Sequence, residues 1–149
     1  MEESLSLLNK IKKEFATGEV DINTYSPLTL AFIGDCVYDL VIRTVLVAHA
    51  NRQPQSLHKK KSQIVKASSQ AACAEAVLEY LSQDEADIYR RGRNAKSYTS
   101  AKNSSISDYR KATGFEALIG YLYLTDKEDR MMEIIKRSIE LTGLEFYGQ

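Results

Sequence analysis

The chain of 149 residues suits one hydrophobic core, and a single domain spanning 1–149 is expected. Its apolar share of 44% and charged share of 27% fit neither a disordered nor a membrane-embedded protein. Twenty basic residues balance twenty acidic ones, so the molecule as a whole would not cling to a polyanion, and any nucleic-acid affinity must come from local clustering.

In chain order, Leu5, Leu8, Ile11 and Phe15 recur at helical spacing and predict an amphipathic first helix ending near Gly18. Ser26-Pro27 is a strong helix start, because the serine can cap free amides and proline is tolerated at the first helical position. A long helix over Pro27 to His49 follows, broken by Asn51 to Pro54. Ser56 offers the next start, with helical sequence to Leu81 and a bend near Ala67 to Ser69. Asp84 opens a short helix toward Arg91, stopped by Gly92, and Arg93 to Ser107 reads as an exposed polar loop. Asp108 to Leu124 and Glu128 to Leu141 close the chain as two more helices. The pattern is all-α.

The N-terminus opens on Glu2-Glu3 rather than on a basic and then apolar segment, and no run approaches the roughly 18 apolar residues of a membrane span. Cys36 and Cys73 lack CxxC spacing and sit in apolar helical contexts, so both are expected to be small buried hydrophobes. A reducing cytoplasmic setting is implied.

Two helices carry charge where charge is costly. Along Pro27 to His49 the charged residues Asp35, Asp39 and Arg43 fall four apart and form one stripe on an otherwise apolar helix. In Phe115 to Leu124, Glu116 is the only charge, and an ionised carboxylate in such surroundings needs a specific partner. Carboxylates on separate, mostly buried helices suit magnesium, which prefers oxygen ligands and often takes only one or two from the protein. An internal ion pair is the plainer alternative: Asp39 with Arg43 at i,i+4, or Glu116 with Arg110 or Lys111. Basic residues gather in two tracts, His58-Lys59-Lys60-Lys61 with Lys66, and Arg90 to Lys111.

The segment Phe32-Ile33-Gly34-Asp35-Cys36-Val37-Tyr38-Asp39 resembles the signature helix of ribonuclease III catalytic domains, and Phe115-Glu116-Ala117-Leu118-Ile119-Gly120 resembles the helix bearing that family's second essential carboxylate. Leu57-His58-Lys59-Lys60-Lys61-Ser62 and Arg91-Gly92-Arg93-Asn94-Ala95-Lys96-Ser97 look like motifs of its smaller Mini-III branch, which lacks a double-stranded-RNA-binding domain. The resemblance covers roughly Leu28 to Leu124, and no such domain is expected after it. It implies a ribonuclease III-like helical bundle that cleaves double-stranded RNA with Mg2+ or Mn2+, as a homodimer. Precursor large-subunit (23S) ribosomal RNA is the implied substrate.

The resemblance assigns catalysis and metal binding to Asp35 and Glu116; Asp39, by its place in the charged stripe, is either a third metal ligand or the ion-pair partner of Arg43. RNA contact falls to Lys59, Lys60, Arg91, Arg93, Asn94 and Lys96, whose charges suit the phosphates and 2′-hydroxyls that a duplex presents across its minor groove. This chain departs from the full-length family at Ala31 and Thr113, where carboxylates are usual, so the metal site is reduced. A non-catalytic RNA-binding helical module is therefore the alternative. A helical nucleotide hydrolase fits less well, since neither His49 nor His58 adjoins an aspartate and Glu75 with Glu79 lacks ExxE spacing.

Overall fold

The computed structural model describes residues 6–19, 21–96 and 105–146, which contain seven α-helices and no strand. They are α1 (Leu7–Glu14), α2 (Pro27–His49), α3 (Pro54–Val65), α4 (Ala67–Val77), α5 (Gln83–Asn94), α6 (Ile106–Leu124) and α7 (Glu128–Thr142). Four of the starts use a serine whose hydroxyl accepts from the amide three residues on: Ser6, Ser26, Ser82 and Ser105. At Ser82 the device is reciprocal, because the Glu85 carboxylate also accepts from the Ser82 amide at 2.8 Å. Gly143, at φ 70°, ends α7 in the left-handed conformation that glycine adopts without a Cβ clash.

Helix α6 is the axis of the bundle, with α2, α4 and α5 packed around it. Its Phe115, Leu118, Ile119 and Leu122 are completely buried, and Phe115 meets the buried ring of Tyr38 edge to face at 5.4 Å. Ile134, Ile135 and Ile139 of α7 complete the same core. Each such side chain contributes about 1.5–3 kcal/mol through burial, so this cluster sets where α2 and α6 lie.

Several boundaries differ from expectation. Helix α3 begins at Pro54 rather than Ser56, proline again taking the first position. The bend near Ala67 is a full break at Lys66, whose extended ψ of 157° ends α3 and starts α4; Ser69 Oγ and Gln70 Nε2 donate to the carbonyls of Gln63 and Val65 that the break exposes, at 2.7 and 2.8 Å. Helix α5 does not stop at Gly92 but runs to Asn94. Gly92 is a packing residue there, since a Cβ would lie 2.9 Å from both Ala117 Cβ and Gly114 Cα of α6. The expected loop from Arg93 is therefore shorter, and its residues 97–104 lie outside the described residues, as does Leu5 of the first helix.

Helix α1 buries Leu8 but leaves Ile11 and Phe15 exposed. Helix α2 is not enclosed all round either: Phe32 is 81% exposed, and Leu28, Leu40 and Val47 also face out. Cys36 lies exposed on the same side, contrary to the buried position expected of it, while Cys73 is buried as anticipated. Among the described residues no helix is long and apolar enough to cross a membrane.

Candidate active site

The helices bearing the two key carboxylates cross in backbone contact. A Cβ at Gly34 would fall 1.7 Å from the Glu116 carbonyl oxygen, and one at Gly120 would fall 2.0 Å from that of Leu30. Only glycine permits this approach. It places Asp35, next to Gly34, beside Glu116 of the facing helix, and the two carboxyl groups are within hydrogen-bonding reach of each other.

Glu116 is largely withdrawn from water by the core that fixes α6. Burial first, and then the hydrogen bond and negative charge of Asp35, push its pKa up to about 9. The one opposing influence is Gln70 of α4, whose Nε2 lies 3.5 Å from Glu116 Oε2. Two adjoining carboxylates cannot readily both carry charge without a compensating cation, so the protein alone leaves Glu116 protonated. A divalent cation is the group that such a pair fits, because it supplies the missing charge and takes oxygen ligands.

Asp39 is differently placed. Its carboxylate receives Arg43 Nε at 2.5 Å and Lys61 Nζ at 3.4 Å, so the third carboxylate of the expected set is committed to two cations. Nor does Glu116 pair with Arg110 or Lys111: Lys111 binds Glu75, and Glu116 faces Asp35 and Gln70. Ala31 is buried and Thr113 donates its hydroxyl to the Tyr109 carbonyl at 2.9 Å, so neither position adds a charge. Among the described residues no cluster of three or more histidine, cysteine, aspartate or glutamate side chains is arranged to hold a metal. The protein's offer is two carboxylates.

Of the residues expected to touch RNA, Lys59 and Lys60 lie on α3, the helix that Lys61 ties to the carboxylate stripe of α2. Arg91, Arg93 and Asn94 occupy the last turn of α5, with Lys96 just beyond it. Arg93 stacks over the Tyr89 ring at 5.9 Å and, with Asn94, lines a cleft of about 340 Å³ shared with Ile106, Ser107, Arg110 and Lys111 of α6. Arg110 reaches this cleft because the fold brings α6 against the end of α5, a neighbourhood that no local sequence signal carries. Gln70 was also missed, although a long polar side chain among Ser69, Ala71, Cys73 and Ala74 was a signal available beforehand.

Comparison with known proteins bears on this arrangement. The Mini-ribonuclease 3 of Clostridium tetani is 48% identical over 122 residues, covering 81% of both chains. That of a Thermoanaerobacter species is 49% identical over 116 residues, covering 78% of this chain and 82% of the relative. The model of the ribonuclease III domain matches residues 28–127. The chain belongs to the ribonuclease III family, in its Mini-ribonuclease 3 branch. A crystal structure of a Fusobacterium nucleatum protein superposes with a TM-score of 0.74 at 31% identity, covering 82% of this chain and 99% of that one. This ribonuclease is thus an endonuclease of double-stranded RNA, and its all-α fold is that of the family's catalytic domain.

Proposed function

We propose that this ribonuclease cuts duplex RNA at a divalent-cation centre held by Asp35 and Glu116. The carrying observation is that these two carboxyl groups adjoin, and that Glu116 has its proton held to about pH 9 by burial and by Asp35. Mg2+, with Mn2+ able to replace it, would activate a water and neutralise charge developing on the phosphate. Asp35 and Glu116 bind and orient at the α2–α6 crossing. Lys59, Lys60, Arg91, Arg93, Asn94 and Lys96 hold the phosphates and ribose hydroxyls of the duplex, while Asp39 keeps α2 and α3 in register through Arg43 and Lys61. Incubating a long RNA duplex with and without Mg2+ tests this: staggered cuts with short 3′ overhangs only when metal is present are expected, and bound but uncut RNA across Mg2+ and Mn2+ titrations would leave the binding module as the better account.

The working form is a homodimer whose two centres cut opposite strands. The outward row of Leu28, Phe32, Cys36 and Leu40, four residues apart on α2, is an apolar face that a second copy would cover symmetrically. Phe32→Glu should weaken the dimer by roughly 30-fold or more, as loss of a central aromatic anchor does. An unchanged sedimentation profile at low protein concentration would remove α2 from the interface. Precursor 23S ribosomal RNA in the cytoplasm is the proposed cellular substrate; accumulation of unprocessed precursor in a strain lacking the protein is the corresponding test.

A further inference from the structure

Gln70 stands on the inner face of α4, 3% exposed, among Ser69, Ala71, Cys73 and Ala74. Its Nε2 donates to the Val65 carbonyl at 2.8 Å. Only the nitrogen of the amide can meet a carbonyl oxygen, so that bond fixes which way the side chain is turned. The same nitrogen has a second hydrogen, and the Glu116 carboxylate lies 3.5 Å away. Oε1, by contrast, is buried with no protein partner among the described residues.

Closing the α3–α4 corner accounts for one N–H alone. Ser69 already does the equivalent task at Gln63 with a far smaller side chain and no unmet acceptor. A buried acceptor that no protein group meets adds nothing to the corner, so closing the corner does not account for a side chain of this length. What it gains is contact with Glu116. The corner also anchors the helix that bears Lys59 and Lys60, so one amide joins the basic helix to the carboxylate pair.

We propose that Gln70 is a positioning residue for the cation centre, its second N–H fixing the orientation of the Glu116 carboxylate against Asp35 while its first holds the end of α3. The inference rests on the metal centre proposed above. Outer partners that orient a metal ligand commonly alter metal affinity about 10- to 100-fold when removed, although they touch no metal.

The test compares wild type with Gln70→Met, similar in length but lacking the amide, and with Ser69→Ala, which opens the same corner without touching Glu116. Three quantities are read: Mn2+ affinity of the RNA-free protein by water-proton relaxation, the Mg2+ concentration giving half-maximal cleavage, and duplex binding in chelator. For Q70M, Mn2+ affinity should fall and half-saturating Mg2+ should rise roughly tenfold, with binding in chelator changed no more than in S69A. For S69A, the melting temperature should fall while both metal readings stay at the wild-type value. Should Q70M not fold, Gln70→Asn, whose shorter amide withdraws from Glu116, carries the same expectations. Wild-type metal readings in the folded Gln70 variant would overturn the role, and so would an equal shift in S69A. A wild type that neither binds Mn2+ nor responds to Mg2+ would overturn this role together with the metal centre itself.

Discussion

Glu85 and Glu116 are both withdrawn from water on helices of the same bundle, and they have been treated in opposite ways. Glu85 receives Arg130 through two bonds of 2.8 Å and the Ser82 amide at 2.8 Å, while Arg130 also donates to the Tyr80 carbonyl and lies over the Tyr80 ring at 4.5 Å. Arg130 holds the Glu85 carboxyl below its usual range, so it is ionised and answered from every side. Glu116 meets a second acid and one long amide contact, and burial drives its pKa the other way. A buried acid that the fold satisfies ties α5 to α7; one that it leaves unanswered is where the proposed cation would bind.

The sharpest way to break that contrast is Glu116→Gln or Asp35→Asn. Either should reduce cleavage by roughly 10³-fold or more, as loss of a group acting on the reacting phosphate does, while duplex binding and helicity persist. Wild-type turnover of either variant would put the chemistry elsewhere. Glu85→Ala should instead cost about 3 kcal/mol of stability, because it strands Arg130, and leave turnover per folded molecule unaltered. Denaturant unfolding alongside active-site titration separates the two.

Stability against pH should carry opposite signs at the two glutamates. A depressed carboxyl stabilises above its unfolded value of 4.5, and the Glu85 contribution disappears as pH falls through its own lower pKa. A raised one destabilises: unfolding frees Glu116 to ionise from about pH 4.5 upward, so the metal-free protein loses stability until about pH 9. Glu116→Gln in chelator should therefore melt like wild type at pH 4 and several degrees higher at pH 8, by calorimetry. A constant difference would contradict the assigned titration. The smallest effect sharpens the same logic on the surface. Arg93→Ala and Lys96→Ala should each lower the salt slope of RNA binding by roughly one unit, whereas Lys111→Ala, whose charge Glu75 already meets, should change it less.

What the sequence disclosed follows these physical lines. Helix α2 was legible to its last residue because Ser26-Pro27 and the run to His49 are local signals. Asp35 and Glu116 stood out because charge in an apolar helix is expensive wherever it occurs. The end of α5 is not legible locally, because Gly92 breaks helices on average and only the approach of α6 explains its tolerance there. Cys36 was misplaced for a related reason: an apolar setting in the chain does not say whether the neighbour is this core or another surface. Arg110 takes on meaning only once helices distant in sequence lie side by side, whereas Gln70 is conspicuous locally as a long polar side chain in a run of small residues, and only its partner Glu116 needs the fold.

The backbone contact at Gly34 and Gly120 has a consequence for how this nuclease would fail. The gap between the two acids is set by main chain pressed on main chain, with no side chain in between to give way. Slight loosening of the bundle would part them long before any helix melted. Under mild heat or denaturant, cutting should cease while the spectrum still looks native, which makes catalysis a finer gauge of this fold's integrity than its helicity.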